Sequence, residues 1–330
     1  MLRLPLTDQS HIGAARREAV RLAISAGWCE EEQARLALVV TEMSVNTIRH
    51  GGGGEVLVGR RAFGTPGIEA IWMDRGHGMA DPEACFRDGH STAGTPGNGL
   101  GAVIRMSDAF DCYSQPDQGT VVLVRIDDRA RNEFAPCGWA IGAVDVAKPG
   151  QDVSGDAWAV RIDGPHLSCM VVDGLGHGPA AAAAAAAAVR AFDQAPPGEP
   201  VPVLQAVHEA MRPTRGGAVA VLRADRDRRT VSFSGIGNIA GGVAGVGVRH
   251  MVSMNGTAGG AAPRLRAFDY PFAAQDVVIL HSDGVSTSWS LAAYPGLVVR
   301  DPGTIAAVLL RDHGRGRDDA TVLVVRDRAA

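Results

Sequence analysis

A polar break near the middle of the sequence most constrains the fold. Residues 127–137 read DDRARNEFAPC, and they separate the strand pattern TVVLVRI at 120–126 from the pattern GWAIGAVDV at 138–146. Charged side chains and a proline, without an apolar run, are typical of a linker between domains. Each half also contains both helical and strand patterns. The break therefore predicts two domains, each able to bury its own core.

Length and composition agree with two folded domains and limit the classes of function. The 330 residues are 46% hydrophobic and 21% charged, with a net charge of -4. These values fit two domains, predicted at 1–128 and 138–330 with a linker at 129–137. The small net charge gives no support to nucleic-acid binding, which needs a concentrated basic face.

Cysteine usage and apolar runs predict a cytoplasmic protein without membrane spans. The five cysteines show no CxxC spacing, which disfavours a disulfide framework or a zinc site. The first residues do not read as a secretory signal, and the alanine-rich run at 179–189 is too short to span a bilayer.

The first half reads as two helices followed by a sheet. A helix is predicted at 10–26, with Ser10 as its cap and Gly27 at its end. A second helix is predicted at 30–49, and its apolar face consists of Leu36, Val39, Val40 and Met43. The remaining predicted elements are strands at 55–60, 68–73 and 119–126 and a short helix near 100–107.

Strand patterns dominate the second half, interrupted by one alanine-rich helix at 180–188 that Pro179 can begin. The predicted strands are 138–146, 157–162, 167–172, 217–224, 229–234, 276–281 and 320–325.

One predicted hairpin places two carboxylates opposite each other. The segments AWAVRI and LSCMVV flank the turn DGPH at 163–166, and Asp156 and Asp173 lie equally far from its centre. Facing carboxylates repel and destabilise a hairpin unless a cation lies between them. On its own the hairpin leaves open whether these residues bind a metal or end the strands.

A second acidic pair favours the metal. Asp283 follows the apolar strand VVILH, and Asp318 and Asp319 precede the apolar strand TVLVV. If these strands pair antiparallel, both acidic ends fall at one edge of the sheet. Hard cations such as Mg²⁺ and Mn²⁺ prefer oxygen ligands, and two of them can activate a water for attack on phosphorus.

Successive motifs in the second half resemble those of the metal-dependent PPM-type phosphatases, in particular the SpoIIE and RsbX-like branch. They are VSGDAW, VVDGLGHG, TRGGAVAV, GIGNI, LHSDG and GRDDATVLVV, in order over about 138–326. The resemblance implies an α-β-β-α sandwich that binds two Mg²⁺ or Mn²⁺ ions at one edge. The implied ligands are Asp173, which would bridge the metals, the carbonyl of Gly174, and Asp156, Asp283 and Asp318.

Two residues of this site have alternative roles. Asp318 occupies the first acidic position of the family motif, so we interpret Asp319 as a supporting or capping residue. His177 could donate a proton to the leaving serine oxygen. The alternative, which we favour, is a histidine that orients an aspartate. No arginine is assigned to the substrate phosphate.

The first half contains polar residues that suit a nucleotide site without a P-loop. Glu42, Asn46 and His50 share one stripe of the second predicted helix, a pattern that a solvated face also explains. The glycine-rich segments GGGG, DRGHG and GTPGNGLG follow in order. An aspartate before glycines can accept a hydrogen bond from an amino group, and amides at a helix start can hold phosphates.

These segments, with the later DQGT, resemble the GHKL (Bergerat) ATP-binding fold, an α/β sandwich, over about 4–126. Within it the chain looks most like the RsbT-like serine kinases. The resemblance implies that Glu42 is the general base, that Asn46 holds Mg²⁺ and that Asp74 reads adenine. His77 departs from the family, whose members usually have proline there. The residues implied to shape the ATP pocket are His50, Gly76, Gly78, Gly97, Gly99, Leu100, Gly101 and Thr120.

The two resemblances imply a bifunctional switch enzyme, a protein serine/threonine kinase fused to a phosphoserine/phosphothreonine phosphatase. Its implied partners are STAS-domain or anti-sigma-antagonist proteins of a sigma-factor or stressosome-type pathway, and a downstream phosphatase or output regulator. The alternative is a phosphatase whose first domain binds nucleotide to dock a partner or regulate the phosphatase, with little kinase activity.

Overall fold

In the computed structural model the chain forms two compact units, Met1–Pro136 and Cys137–Ala330. The structure describes residues 1–82, 99–131, 137–245, 247–261 and 264–328, with only the backbone of Gly99. We call the two units the N-terminal and C-terminal units and describe each by itself.

The N-terminal unit packs helices on one face of an antiparallel sheet with strand order β1-β2-β3-β5-β4. Its core lies between α1, α2 and that face of the sheet, where the predicted apolar side chains of α2 are buried. The elements are β1 (Leu2–Leu6), α1 (Gln9–Ala26), α2 (Glu30–Gly51), β2 (Gly54–Arg60), β3 (Gly67–Asp74), α3 (Gly99–Met106), β4 (Ala109–Gln115) and β5 (Gly119–Asp127).

The cap of α1 differs from the prediction. Asp8, not Ser10, is the N-cap, because its Oδ1 accepts the backbone N–H of Ser10 at 2.8 Å. The Ser10 hydroxyl donates to the same oxygen. Gly27 ends the helix in the left-handed region, with φ +82°, as glycine does at a helix end.

The first residues of the predicted linker belong to the N-terminal unit. Residues Arg129–Arg131 form a 3-10 turn, and the backbone N–H of Arg129 donates to Oε1 of Glu32 on α2 at 3.1 Å. This bond holds the turn against α2. The predicted domain limits at 128 and 138 otherwise remain a prediction.

The C-terminal unit contains two antiparallel five-stranded sheets, with orders β13-β10-β9-β8-β7 and β12-β11-β14-β15-β6. Its elements are β6 (Trp139–Val146), β7 (Asp156–Asp163), β8 (His166–Gly174), α4 (Pro179–Gln194), α5 (Pro200–Met211), β9 (Gly217–Asp225), β10 (Thr230–Ile236), β11 (Ala240–Ala244), β12 (Val248–His250), β13 (Phe268–Pro271), β14 (Val277–His281), α6 (Pro302–His313) and β15 (Ala320–Asp327).

Helices cover the outer faces of this sandwich. α4 and α5 pack against the β7-β8-β9 side, and α6 packs against β6 and β15. The small side chains of α4, including Ala184, Ala185 and Ala188, let it approach the sheet closely around Phe192. The predicted α-β-β-α sandwich and the α/β N-terminal fold are therefore confirmed.

Several elements of the second half were not predicted. β11 has the sequence AGGVA and β12 only three residues, so neither carries a strand pattern of useful length. α6 was missed because ten consecutive residues, Pro302 to Arg311, are buried. A helix buried on all sides loses the 3.6-residue alternation by which helices are recognised.

Within the described ranges, no helix is long and apolar enough to cross a membrane.

Candidate active sites

The β7–β8 hairpin has the predicted register, with Asp156 opposite Asp173. Asp163 pairs with His166, so Gly164 and Pro165 form a two-residue turn, and Gly164 has the positive φ of +56° that such a turn needs. The pairing therefore places two carboxylates side by side at the open end of the hairpin.

The second acidic pair lies at one edge of the other sheet. β14 and β15 pair antiparallel, with His281 opposite Val322, which fulfils the condition set for the second acidic pair. Asp283 follows β14 and Asp318 precedes β15, so both leave the sheet at the same edge. The Asn238 side chain donates from Nδ2 to Oδ2 of Asp283 at 2.7 Å. We assigned no role to Asn238 from the sequence, although it belongs to the GIGNI motif.

The two acidic pairs meet at one edge of the sandwich. The pKa of Asp173 is raised to about 7. Burial is the largest cause, and the negative charges of Asp283, Asp318 and Asp319 add to it. Burial and then Asp318 raise the pKa of Asp283, whereas Arg315 lowers it. Carboxylates from both sheets are therefore close enough to resist one another's ionisation.

Asp156 is a buried acceptor without a donor at ordinary hydrogen-bond geometry. Its side chain is 4% exposed, and neither carboxylate oxygen has a hydrogen-bond partner among the described residues. Burial, and then the negative charge of Asp173, raise the pKa of Asp156 well above its usual range. The Ser282 side chain lowers this pKa by a smaller amount. A buried carboxylate without a partner is costly unless it binds a cation.

Asp318 and Asp319 differ in environment. Asp318 is exposed, and its Oδ1 accepts the backbone N–H of Asp319 at 3.0 Å. Asp319 is 4% exposed; its Oδ1 accepts the backbone N–H of Lys148 at 2.7 Å, while its Oδ2 is buried without a partner. The bond to Lys148 suits a supporting role, and the unpartnered Oδ2 also makes Asp319 a candidate ligand.

Asp145 was missed by sequence analysis. It lies on β6 opposite Thr321 of β15, whose hydroxyl donates to its Oδ1 at 3.3 Å. Burial raises its pKa, which hydrogen bonds from Ser154 and Thr321 lower. The available signal was a single charged residue in the otherwise apolar strand WAIGAVDV.

Gly174 and His177 lie in or beside the loop after β8. Gly174 is buried, its N–H donates to the carbonyl of Gly155 at 3.0 Å, and a Cβ there would lie 2.3 Å from the carbonyl oxygen of Ala181. His177 is exposed and makes no side-chain hydrogen bond or ion pair with any residue that the structure describes. In this conformation it does not orient an aspartate, and both of its roles stay predictions.

The donor set of this acidic cluster suits a hard divalent cation. All the gathered side chains are carboxylates, and three of their buried oxygens, two on Asp156 and one on Asp319, have no hydrogen-bond partner. In the described ranges no three acidic, histidine or cysteine side chains yet converge on one point. Without a cation the carboxylates repel one another and stay apart, whereas a bound cation would attract them to a common point.

In the N-terminal unit, Glu42, Asn46 and His50 follow one stripe of α2 as predicted. Glu42 and Asn46 are partly buried, and neither makes a side-chain hydrogen bond with a described residue. Burial and then the charges of Arg49 and His77 lower the pKa of His50, whereas Asp74 raises it. The end of α2 therefore lies beside the end of β3.

Asp74, which we predict to read adenine, accepts hydrogen bonds from two backbone N–H groups. Its Oδ1 accepts the backbone N–H of Gly76 at 2.9 Å and that of Thr120 at 3.2 Å. A Cβ on Gly76 would lie 2.7 Å from Cα of Gly51, so the loop can pass the end of α2 only without a side chain. The structure thus brings Asp74, Gly76 and Thr120 together.

Ser114 is a further residue of this region that the sequence did not indicate. Its hydroxyl lies 2.9 Å from that of Thr120 and accepts the backbone N–H of Met79 at 2.8 Å. Gly78 has φ +64°, and a Cβ there would lie 1.9 Å from the carbonyl oxygen of Gln115. These contacts hold the loop after Asp74 against the β4–β5 hairpin.

The second glycine cluster lies only partly within the described residues. Gly97 lies outside them. Gly99 begins α3, and Gly101 is buried in its first turn. Leu100, which the resemblance assigned to the ATP pocket, is partly buried and packs against the core between helices and sheet.

Comparison with known proteins matches each unit separately. Residues 5–126 match the family model of the histidine kinase-like ATPase domain, and residues 163–328 match that of stage II sporulation protein E. The serine/threonine-protein kinase RsbT of Bacillus subtilis (strain 168) is 32% identical over 112 residues, which are 34% of this chain and 84% of RsbT. The phosphoserine phosphatase RsbX of the same organism is 27% identical over 93 residues, 28% of this chain but only 46% of RsbX.

Two solved structures agree with the sandwich. A chain from "The bacterial stressosome: a modular system that has been adapted to control secondary messenger signaling" has a TM-score of 0.53 and 28% identity, covering 57% of this chain and 99% of that one. RsbX in complex with magnesium has a TM-score of 0.51, covering 58% of this chain and 97% of that one; at 18% identity it shows the fold alone. The chain therefore belongs to the stage II sporulation protein E family, with an RsbX-like PPM-type phosphatase domain, and its N-terminal part belongs to the RsbT-like histidine kinase-type ATPase family.

Proposed function

We propose that the C-terminal unit hydrolyses phosphoserine and phosphothreonine in proteins and depends on two Mg²⁺ or Mn²⁺ ions. The observation that carries this proposal is the pair of facing carboxylates Asp156 and Asp173, one without a hydrogen-bond partner and the other with a pKa near 7. The residues that would hold the ions are Asp173, the Gly174 carbonyl, Asp156, Asp283 and Asp318, with Asp319 as a further candidate. When bound, such ions supply Lewis-acid stabilisation of the phosphoryl oxygens and a lowered pKa for a coordinated water.

The chain's own residues prepare this centre. Asn238 fixes the rotamer of Asp283 through its 2.7 Å hydrogen bond. The absence of a side chain on Gly174 lets the loop after β8 lie against α4, so that its carbonyl stays beside Asp173. Burial excludes water from Asp156 and strengthens its attraction for a cation.

Substitution of Asp173 tests the phosphatase. Asp173→Asn should abolish Mn²⁺-dependent release of phosphate from a phosphoserine peptide, because the amide lacks the negative charge and the second oxygen of the carboxylate. Asp163→Asn, an exposed carboxylate at the far end of the same hairpin, is the matched control and should leave the rate unchanged. Retention of full activity in Asp173→Asn would overturn the metal assignment.

We further propose that the N-terminal unit binds ATP with Mg²⁺ and transfers its terminal phosphoryl group to a protein serine or threonine. Glu42 would accept the proton of the substrate hydroxyl, and Asn46, one helical turn further along α2, would hold Mg²⁺. Asp74 would accept a hydrogen bond from the adenine amino group. Glu42 and Asn46 are partly buried and make no side-chain hydrogen bond with a described residue, and this region is 32% identical to the kinase RsbT; both observations support the proposal.

Phosphoryl transfer from labelled ATP separates the kinase from a nucleotide-binding module. Glu42→Gln should bind ATP normally in calorimetry but lose transfer, because an amide cannot act as a base. Glu31→Gln, an exposed residue in the first turn of the same helix, should retain both. A wild-type protein that binds ATP without labelling any substrate would instead favour a regulatory or partner-docking role for this unit.

The substrates we propose are STAS-domain or anti-sigma-antagonist proteins of a partner-switching pathway. The support is that both units have relatives of the RsbT and RsbX kind and that one structural relative belongs to a bacterial stressosome. Candidate STAS proteins should gain label with Asp173→Asn in the presence of ATP, and should lose it with Glu42→Gln in the presence of Mn²⁺. Loss without gain would leave only the phosphatase.

A further inference from the structure

An exposed arginine lies beside the loop that follows Asp173. Arg215 makes no ion pair or side-chain hydrogen bond with any residue in the described ranges. A Cβ placed on Gly176, two residues after Gly174, would lie 3.4 Å from Nη1 of Arg215. The guanidinium therefore lies over the loop that follows the carboxylate Asp173.

The backbone of Arg215 is held firmly although its side chain is free. The Thr214 hydroxyl accepts the backbone N–H of Gly216 at 3.0 Å and donates to the carbonyl of Met211 at 2.6 Å. Gly216 has φ +73°, and a Cβ there would lie 2.4 Å from the carbonyl oxygen of Ala258. Only glycine fits at this position of the turn, and the turn places Arg215 beside the loop after β8.

The same turn is tied directly to that loop. Gly217 is the strand partner of Gly174, and the backbone N–H of Leu175 donates to the carbonyl of Gly216 at 2.9 Å. These backbone contacts hold the turn that carries Arg215 beside the C-terminal end of β8. Arg315, another arginine near the cluster, already faces Asp283 and lowers the pKa of that carboxyl.

Divalent cations held at this edge would offset the charge of Asp156, Asp173, Asp283 and Asp318, and a further positive group would attract the charge of about −2 on a phosphate monoester. A guanidinium offers paired N–H donors that match two phosphoryl oxygens and retains its charge at all physiological pH values. Resting on the phosphatase function proposed above, we infer that Arg215 binds the phosphoryl group of the phosphoserine substrate and is a specificity-determining residue of the C-terminal unit.

Steady-state kinetics of the full chain with Mn²⁺ test this inference. Arg215→Ala should raise KM about 10- to 100-fold for both a phosphoserine peptide and p-nitrophenyl phosphate, as expected for loss of a charge-assisted hydrogen bond. The inhibition constant of inorganic phosphate should rise by a similar factor, with a smaller change in kcat. Arg215→Lys should fall between the two proteins, because it keeps the charge without the paired donors.

Matched variants separate this role from a general charge effect. Arg212→Ala removes an arginine three residues earlier that is exposed and ion-paired with Glu209 at 2.7 Å, and its KM should not change. The temperature of unfolding and its increase on adding Mn²⁺ should be the same in the wild type and in Arg215→Ala, because the exposed side chain makes no ion pair or hydrogen bond with a described residue.

Four outcomes would overturn the assignment. Three concern Arg215→Ala: an unchanged KM, a rise in KM for the peptide alone, and an unchanged inhibition constant for phosphate. The fourth is a rise in KM in Arg315→Ala that Arg215→Ala does not show. A rise for the peptide alone would mean that Arg215 contacts a neighbouring acidic residue and not phosphate. Failure of the phosphatase proposal is distinguishable, since the wild type itself would then release no phosphate.

Discussion

Removal of the Asp173 charge should stabilise the metal-free protein at high pH, although the same change should abolish phosphatase activity. The pKa of this carboxyl is raised to about 7 by burial and by its acidic neighbours, from a usual value of about 3.9. Between pH 4 and pH 7 the folded protein therefore keeps a proton that the unfolded chain has released. By linkage, the stability of the wild type falls as pH rises through this window.

The size of the effect follows from the pKa. Each tenfold change in proton affinity is worth about 1.4 kcal/mol, so full ionisation of Asp173 would cost the folded state up to about 4 kcal/mol above pH 7. Asp173 is only partly buried, and solvent screens some of the repulsion. We expect the advantage of Asp173→Asn over the wild type to grow by about 2 kcal/mol between pH 5 and pH 8.

Calorimetric unfolding in EDTA at pH 5 and pH 8 measures this difference. A growth of about 2 kcal/mol corresponds to roughly 4–8 °C for a unit of this size. Addition of Mn²⁺ at pH 8 should then raise the unfolding temperature of the wild type but not of Asp173→Asn, because a metal binds only the deprotonated carboxylate. Asp163→Asn is the control: its difference from the wild type should be the same at both pH values, and Mn²⁺ should stabilise it as it stabilises the wild type.

The reasoning would be refuted by an equal difference in unfolding temperature at both pH values. That result would mean that the asparagine acts through packing and not through charge. A difference of the opposite sign at pH 8 would mean that the ionised carboxylate already has a compensating partner in the metal-free protein.

Three further substitutions test the packing around the two sites. Gly78→Ala should destabilise the N-terminal unit by more than about 1 kcal/mol in urea unfolding and weaken ATP binding in calorimetry, because its Cβ would lie 1.9 Å from the Gln115 carbonyl oxygen at a φ of +64°; unchanged ATP affinity would contradict this. Gly174→Ala should remove the stabilisation by Mn²⁺, since its Cβ would lie 2.3 Å from the Ala181 carbonyl oxygen, and a normal Mn²⁺ shift would contradict the proposed role of this loop. Phe192→Ala should cost the C-terminal unit about 3–5 kcal/mol, because the ring is fully buried, whereas a loss below about 1 kcal/mol would mean that α4 collapses onto the sheet.

Local features of the sequence predicted the hairpin and its register correctly. The alternation of AWAVRI, the apolar run LSCMVV and the turn residues DGPH between them put the centre of the hairpin between Gly164 and Pro165. A turn centred there places Asp156 opposite Asp173, as observed. The sequence indicated the two apolar runs with acidic residues at opposite ends, but their antiparallel pairing was only a condition, which the structure meets.

Features that depend on distant parts of the chain were not predictable in the same way. Asp145 and Thr321 are 176 residues apart in the sequence and meet only because β6 pairs with β15. Ser114 acquires its contacts with Thr120 only through the β4–β5 pairing. No local pattern specifies which strands become neighbours when their connections are long.

Burial decided the remaining differences. Asp318 and Asp319 are adjacent and chemically identical, yet one is exposed and the other is 4% exposed with an unpartnered oxygen. Sequence position alone cannot distinguish such neighbours, because the side on which a carboxylate emerges depends on the strand and loops packed against it.

The sequence by itself thus determined the division into two units, the order of the acidic and glycine-rich motifs, and the pairing inside the β7–β8 hairpin. These follow from alternation, turn residues and spacing, which act over a few residues. The tertiary structure decided that the acidic ends of two separate sheets share one edge, which carboxylates are buried there, and that Arg215 lies over the loop after β8. Those outcomes depend on sheet packing and on the cost of burying charge, and both are set by residues far apart in the chain.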